Sequence, residues 1–177
     1  PHFDIEGEAV ERELALADWP EPGSTAAIVG EGVRVTSGDV TLVDGISLRA
    51  EPGDAVIVSA DDPRTPRALL LALAARTPLE GRLRVGGHLL PGRESWVRAH
   101  VGVALLDGSP EPVRDLRRAL KRADIVVVDG LDAVIPGAVY DQAAAALRDA
   151  STAARRAGKS LTIVVSAAQP EPARRLL

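Results

Sequence analysis

Four continuous apolar runs are spread along most of this chain, and stretches with helical spacing separate them. Apolar residues at every position are typical of a parallel strand that is covered on both faces. The predicted buried strands are residues 55–59, 101–106, 125–129 and 161–166. The predicted helices are residues 66–76, 111–122 and 137–157. Strands that alternate with helices predict an α/β fold with a mostly parallel sheet between layers of helices.

The part of the chain before residue 55 has a different pattern. Residues 32–36 and 40–48 are β-type runs on either side of the turn Ser37-Gly38-Asp39. This arrangement predicts a hairpin. Another short strand is predicted at residues 81–85, after the first helix. An antiparallel β element is therefore expected in addition to the parallel sheet.

The first 29 residues form an acidic lead-in with a helical candidate at residues 8–17. We divide the chain into this lead-in, residues 1–29, and one α/β domain, residues 30–177. The chain begins with Pro1 and not with methionine, so we expect it to be a piece of a larger protein.

Composition and charge exclude several classes of protein. Of the 177 residues, 46% are hydrophobic and 26% are charged, as in a soluble globular domain. A net charge of −4 gives no reason to expect nucleic acid or acidic lipid as a partner. No apolar run is long enough to enter and cross a bilayer, and the absence of cysteine excludes disulfides. We expect a cytoplasmic protein.

The turn between the strand at 55–59 and the helix at 66–76 has the layout of a phosphate-binding P-loop. The eight positions of the G-x-x-x-x-G-K-[ST] pattern read Ala60-Asp61-Asp62-Pro63-Arg64-Thr65-Pro66-Arg67. Both glycines, the lysine and the hydroxyl that would hold magnesium are missing. Pro63 and Pro66 have no N–H to donate, and the carboxylates of Asp61 and Asp62 repel a phosphate.

Two interpretations of this turn remain open. In the structural one, Thr65 is the N-cap of the helix and Pro66 is its first residue. In the functional one, the guanidinium groups of Arg64 and Arg67 replace the P-loop lysine and bind phosphate, with Thr65 beside them. The number of missing donors favours the structural interpretation.

Four short segments of the chain match a known sequence pattern in their order and spacing. They are the P-loop-like phrase at residues 52–73, the phrase before it at 40–54, the phrase LEGRLRVGG at 79–87, and the strand at 125–129 that ends in aspartate. Together they resemble the nucleotide-binding domain of ATP-binding cassette (ABC) proteins over residues 32–177. The resemblance implies a P-loop NTPase-like three-layer sandwich, in which Asp129 is the Walker B aspartate that binds magnesium through water.

The chain departs from the ABC pattern at the positions that carry the chemistry. The aligned positions are those of the adenine-stacking aromatic, the γ-phosphate glutamine, the general-base glutamate and the last histidine. They are occupied by Thr36 or Ser37, Leu106, Gly130, and Ser166 or Ala167. The signature LSGGQ is absent, and the segment between Leu106 and Asp129 has room for one helix only, not for the helical subdomain of the family.

The sequence therefore predicts a degenerate ABC-ATPase-like domain that is not an enzyme and needs no cofactor. We expect a structural or regulatory protein-interaction module of a larger assembly, held at the inner face of the membrane where its partner is a membrane protein. The alternative is a functional ATP-binding domain of an ABC-type transporter with ATP and Mg²⁺ as cofactors. In it, a non-standard P-loop with Arg64, Thr65 and Arg67 would bind phosphate, and Asp129 would bind the metal.

Two further groups of residues are candidates for binding. Asp107, Asp129 and Asp132 follow predicted strands, so they are candidates for a carboxylate group in the crevice at the carboxyl edge of the sheet.

The residues of the other group lie on the helix at 111–122 at i, i+3, i+4 and i+8, which places them in one stripe: Arg114, Arg117, Arg118 and Arg122. The stripe is either a solvated face or a docking site for an acidic partner, and that partner is either another protein or the rest of this polypeptide.

Overall fold

In the residues that the structure describes, two four-stranded sheets and five α-helices form the fold. The computed structural model describes residues 25–121, 123–134 and 137–177. Residues 1–24 of the predicted lead-in, with the helical candidate at 8–17, lie outside the described residues, as does Arg122 of the predicted stripe.

The elements are numbered in chain order. The strands are β1 (Ile28–Ser37), β2 (Val40–Ala50), β3 (Ala55–Val58), β4 (Glu80–Val85), β5 (His88–Leu90), β6 (Val101–Leu105), β7 (Ile125–Asp129) and β8 (Thr162–Ser166). The α-helices are α1 (Arg64–Leu73), α2 (Glu94–His100), α3 (Pro112–Leu120), α4 (Ala138–Arg156) and α5 (Pro170–Leu176). A short 3-10 helix, Leu131–Val134, follows β7.

The antiparallel sheet has the strand order β2-β1-β4-β5 and contains the predicted hairpin of β1 and β2. β1 begins at Ile28, two residues before the predicted domain start. Its register with β4 shifts after Glu31, and there the two backbones come very close. A Cβ atom on Gly81 would lie 2.3 Å from the carbonyl oxygen of Gly32, so only glycine fits at this position.

The second sheet is parallel throughout and has the strand order β3-β8-β7-β6. Every residue of β7 and β8 is buried, as the continuous apolar runs predict. The predictions of buried strands at residues 55–59 and 101–106 were wrong in part of their burial, because β3 and β6 are the two edges of the sheet. In β6, Val101 and Ala104 are buried, whereas Leu105 is exposed. β3 lies at the edge of the sheet with β8 as its neighbour, so Val56, Ile57 and Val58 are only half-buried.

Two hydrophobic clusters cover the faces of the parallel sheet. On one face, α1 packs between the two sheets, and its Leu69, Leu70 and Leu73 join the cluster of the antiparallel sheet. On the other face, α3 and α4 contribute Leu116 and Leu147 to a separate cluster. The result is the predicted three-layer α/β sandwich. None of the described helices is both long and apolar enough to cross a membrane.

Candidate functional site

The carboxyl ends of the parallel strands place the candidate residues at one edge of the sheet. β3 runs into the P-loop-like turn, and α1 begins at Arg64. Asp129 is the last residue of β7, and Ser166 is the last residue of the neighbouring β8. Because β7 and β8 are parallel and in register, these two side chains lie next to each other.

The carboxylate of Asp129 is held by two different partners. Its Oδ1 accepts a hydrogen bond from the Ser166 hydroxyl at 2.8 Å. Its Oδ2 lies 3.5 Å from Nη1 of Arg67, which comes from the first turns of α1. The Asp129 side chain is only 8% exposed, whereas that of Arg67 is 45% exposed. A buried carboxylate needs such partners, so this contact ties the start of α1 to the end of β7.

The Ser166 hydroxyl also accepts the backbone N–H of Gly130 at 2.7 Å. Its lone pair and its proton are therefore both used, one on each side of the turn that follows β7. This short network joins β8, β7 and the turn after β7 through one buried hydroxyl. Ser166, one of the two positions to which the resemblance assigns the last histidine, therefore has structural partners for both its proton and its lone pair.

A second ion pair lies inside the P-loop-like turn. Asp62 accepts hydrogen bonds from Nε and Nη2 of Arg64 at 2.8 to 3.1 Å. The hydrogen bonds from the Arg64 side chain lower the pKa of Asp62, and the same pair raises the pKa of Arg64. The guanidinium of Arg64 is thus directed at a carboxylate of its own turn.

Asp62 also binds the backbone at the start of α1. Its Oδ1 accepts the N–H of Arg64 at 2.9 Å, and its carbonyl oxygen accepts the N–H of Thr65 at 3.0 Å. The prediction that Thr65 is the N-cap was therefore wrong. The helix begins one residue before Thr65, after Pro63, and Asp62 satisfies the amides that a cap would satisfy. Pro66 is the third helical residue and not the first.

The three aspartates predicted for the crevice do not act together. Asp132 accepts the N–H groups of Ala168 at 2.6 Å and Gln169 at 3.2 Å, so it fixes the loop that leads to α5. Asp129 is bound to Arg67, as described above. Among the described residues there is no group of three carboxylate, histidine or cysteine side chains that could hold a metal ion. The prediction of a carboxylate trio was wrong: Asp129 and Asp132 serve separate structural contacts, and the three side chains form no common metal site.

Two positions next to Asp129 differ sharply from what the ABC resemblance implies. Gly130 has a φ of +74°, and a Cβ atom on it would lie 2.8 Å from Cβ of Asp107. No larger residue fits there without a shift of the backbone. Leu106, at the position of the γ-phosphate glutamine, is buried in the cluster of α3 and α4. Its backbone N–H donates to the carbonyl oxygen of Asp129. Its side chain packs in the core and does not face the site.

The described part of the arginine stripe lies on the exposed side of α3, opposite the buried Leu116. Arg114 forms an ion pair with Glu111, whose hydrogen bond raises the pKa of Arg114. Arg117 and Arg118 form no ion pair with any other described residue. Two exposed cations one residue apart are therefore available on this helix.

The site is built from contacts that the sequence interpretation did not include. Neither the bond of Ser166 to Asp129 nor the double role of Asp62 was predicted. The sequence does contain a signal for each. Ser166 ends the apolar run that follows the run ending in Asp129, and an aspartate before proline often binds the backbone two residues further on.

Comparison with known proteins identifies a solved structure with a similar fold. No family model matches this chain, and no curated protein matches it. Among solved structures, cbiO1 from Clostridium perfringens, part of the ABC transporter complex cbiONQ, is similar with a TM-score of 0.64. The similarity covers 86% of this chain and 82% of that chain at 9% identity, a level that shows the fold alone. The chain therefore has the fold of an ABC transporter ATPase subunit.

Proposed function

We propose that this domain is a catalytically inactive ABC-ATPase-like module that works through its protein-binding surfaces. The observation that carries the proposal is the ion pair between Arg67 and Asp129. The guanidinium of Arg67 stands at the sequence position of the P-loop hydroxyl and contacts the carboxylate that would otherwise face magnesium. The charge that this carboxylate would offer to a metal is already neutralised by a residue of the chain.

The magnesium side of the site is unsuited to the ion. Mg²⁺ demands nearly octahedral oxygen ligands, usually one or two carboxylates together with phosphate and water. Asp129 has Ser166 on one oxygen and Arg67 on the other. A metal ion on this carboxylate would have to displace Arg67, whose guanidinium would then lose its ion-pair partner. The residues present do not fit a magnesium site.

The phosphate side is unsuited for a related reason. A P-loop binds phosphate through several backbone N–H groups that point inwards at a helix N-terminus. Here the N–H groups of Arg64 and Thr65 are bound to Asp62, and Pro66 has none. The Asp62 carboxylate would in addition repel the phosphate oxygens at short range. An anion would have to displace Asp62 from Arg64 and from the helix end at the same time.

Hydrolysis also lacks a base next to Asp129. The adjacent residue is Gly130, and its close approach to Asp107 leaves no room for a glutamate side chain. We therefore propose that neither ATP nor Mg²⁺ is a cofactor. The binding residues of the alternative interpretation, namely Arg64, Thr65, Arg67 and Asp129, act in the structure of the turn.

A domain of this kind acts by binding other proteins through its surface. The fold neighbour cbiO1 is part of a multi-subunit transporter complex. We propose that this domain likewise joins a larger assembly of proteins in the cytoplasm and reaches a membrane, where it does, through a partner. The exposed guanidinium groups of Arg117 and Arg118 suit an acidic surface on that partner.

Calorimetric titration with Mg-ATP and with Mg-ADP tests the loss of nucleotide binding. We expect no saturable heat up to millimolar nucleotide. Micromolar binding that is lost in Arg67→Ala would overturn the proposal and support the functional ATP-binding domain. The matched control is Arg148→Ala on α4, since this exposed arginine belongs to the helix on the other face of the parallel sheet.

A further inference from the structure

We propose that the acidic segment at residues 8–17 docks as a helix into a groove between α3 and α4. This groove has a volume of about 550 Å³ and lies at the amino ends of β7 and β8, away from Asp129. Its floor and walls are mostly apolar, and they include Leu120 of α3, Leu161, and Ala150 and Ala153 of α4. Such an apolar groove between two helices is a site where a third helix can pack.

The charged residues that line the groove have a small excess of positive charge, three cations against two carboxylates. Arg117 and Lys121 line it from the α3 side and form no ion pair with other described residues. Lys159 also lines it but is paired with Asp124. The unpaired carboxylate on the rim is that of Asp149. The available positive charge is therefore concentrated on the α3 side of the groove.

The first 24 residues of the chain are acidic, whereas the rest has a small positive net charge. Residues 1–24 contain seven of the 25 acidic residues and one of the 21 basic residues. The remaining residues therefore carry a net charge of +2 although the whole chain carries −4. An acidic segment tethered to a basic domain is drawn to the positive part of its surface, and here that includes an apolar groove.

The apolar residues of the segment fit a helix that lies in such a groove. Val10, Leu14 and Ala17 recur at i, i+4 and i+7, which places them on one helical face. Arg12 falls on the opposite face. Docking of the apolar face would bury Val10 and Leu14 against the alanines of α4 and leave the glutamates free to meet Arg117 and Lys121.

The place where the described residues begin makes the docking feasible. The carbonyl oxygen of Ala27 accepts the N–H of Gly86 at 2.8 Å, and a Cβ atom on Gly86 would lie 3.6 Å from Ile125. Ile125 comes directly after Asp124, which lines the groove. The start of β1 thus lies near the amino end of β7, on the face of the parallel sheet opposite the groove. Residues 18–24 can span up to about 24 Å when extended, enough to pass round the end of β7.

The absence of cysteine from the chain makes disulfide trapping in the full-length protein a direct test. Leu14→Cys is combined with Ala150→Cys, and in a second variant with Ala153→Cys, in a thiol–disulfide exchange buffer. The control pairs carry Arg12→Cys on the opposite helical face. Docking raises the effective concentration of the facing pair, so we expect Leu14→Cys to form the intramolecular disulfide about tenfold faster than Arg12→Cys.

Salt and charge variants separate docking from chance contact. At 1 M salt the Debye length is about 3 Å, so we expect the preference for Leu14→Cys to weaken. Arg117→Glu with Lys121→Glu should reduce it in the same way, whereas Arg175→Glu on α5 should not. Equal rates for the facing and the opposite pairs would overturn the proposal. So would disulfide-linked dimers in place of the intramolecular product, since they would assign the groove to a second copy.

Discussion

Arg67 places Nη1 of its guanidinium 3.5 Å from Oδ2 of Asp129, and so a residue of the P-loop-like turn closes on the aspartate at the end of β7. The other oxygen of that aspartate is bound by Ser166. The two elements that bind nucleotide and metal in a P-loop protein are thereby linked through an internal ion pair. Both oxygens of Asp129 thus have partners within the chain, and this has consequences for stability.

Replacement of Arg67 by alanine is expected to destabilise the fold by about 1–2 kcal/mol. This range lies between that of an exposed pair and that of a buried pair, because Asp129 is buried while Arg67 is half exposed. The measurement is the free energy of unfolding in urea. Arg148→Ala, as the matched control, should change it by less than about 0.5 kcal/mol.

A double-mutant cycle makes this expectation specific. Asp129→Asn removes the charge that Arg67 neutralises and keeps an oxygen that can accept the Ser166 hydroxyl. The effects of Arg67→Ala and Asp129→Asn should therefore fall short of additivity by about 0.5–1.5 kcal/mol. Strict additivity would contradict the ion pair as a source of stability.

Substitution of Gly130 should be costly for two separable reasons. Its φ of +74° disfavours any other residue, and a Cβ atom would meet Cβ of Asp107 at 2.8 Å. We expect Gly130→Ala to reduce the free energy of unfolding by about 2–4 kcal/mol. Gly158→Ala is the control, since Gly158 has a φ of +69° and nothing within 4 Å of an added Cβ.

The difference between these two glycine variants measures the contact with Asp107. If Gly130→Ala costs no more than Gly158→Ala, the close approach does not constrain this position. Gly130→Glu should likewise fail to produce ATP hydrolysis, because its side chain cannot be accommodated at this site without moving the turn. Turnover by Gly130→Glu would contradict the proposed reason for inactivity.

The charge of Asp62 should stabilise the start of α1 at neutral pH and lose this effect in acid. Hydrogen bonds from Arg64 lower the pKa of Asp62 below the ordinary value of 3.8. A carboxylate with a lowered pKa contributes stability that is present above the unfolded value and is lost as the pH falls through the folded value. The difference in unfolding free energy between the unsubstituted protein and Asp62→Asn should therefore shrink below about pH 4.

Asn at position 62 keeps the oxygen that accepts the N–H of Arg64, so this variant isolates the charge from the cap. Asp61→Asn is the control, because Asp61 makes no hydrogen bond or ion pair with the other described residues. It should leave the free energy of unfolding nearly unchanged. A difference for Asp62→Asn that is constant from pH 7 to pH 3 would show that the pair with Arg64 adds nothing.

The two central parallel strands, β7 and β8, could be predicted because their burial is complete. β7 and β8 are apolar at every position and flanked by helices, which leaves little choice of structure. The burial of β3 was not predictable in the same way, since its sequence is equally apolar and only the strand order places it at an edge. The short elements β5, α2 and α5 were missed because they contain too few residues for a clear period.

The position of the candidate site could be predicted from the sequence, but the contacts between its side chains could not. The strand, turn and helix at residues 55–73 and Asp129 were identified from the sequence, and the structure brings them to one edge of the parallel sheet. Which partner each charge takes depends on distances between separate elements. Arg67 meets Asp129 because α1 lies over the sheet, whereas Asp62 takes Arg64 within one turn. No spacing in the sequence distinguishes these pairings from a phosphate site.

The ring stack around Trp96 should make the protein less stable as the pH falls below about 6.5. His88 stacks on Trp96 with ring centroids 3.6 Å apart, and His100 also stacks on Trp96, with ring centroids 4.0 Å apart. Burial, together with Arg93, His100 and Arg84, lowers the pKa of His88 from its ordinary 6.5. A group with a lowered pKa binds its proton more readily in the unfolded chain, so protonation favours unfolding. Urea unfolding from pH 7.5 to 5 should show a smaller loss in His88→Phe, which keeps a stacked ring; an equal loss would exclude His88 as the cause.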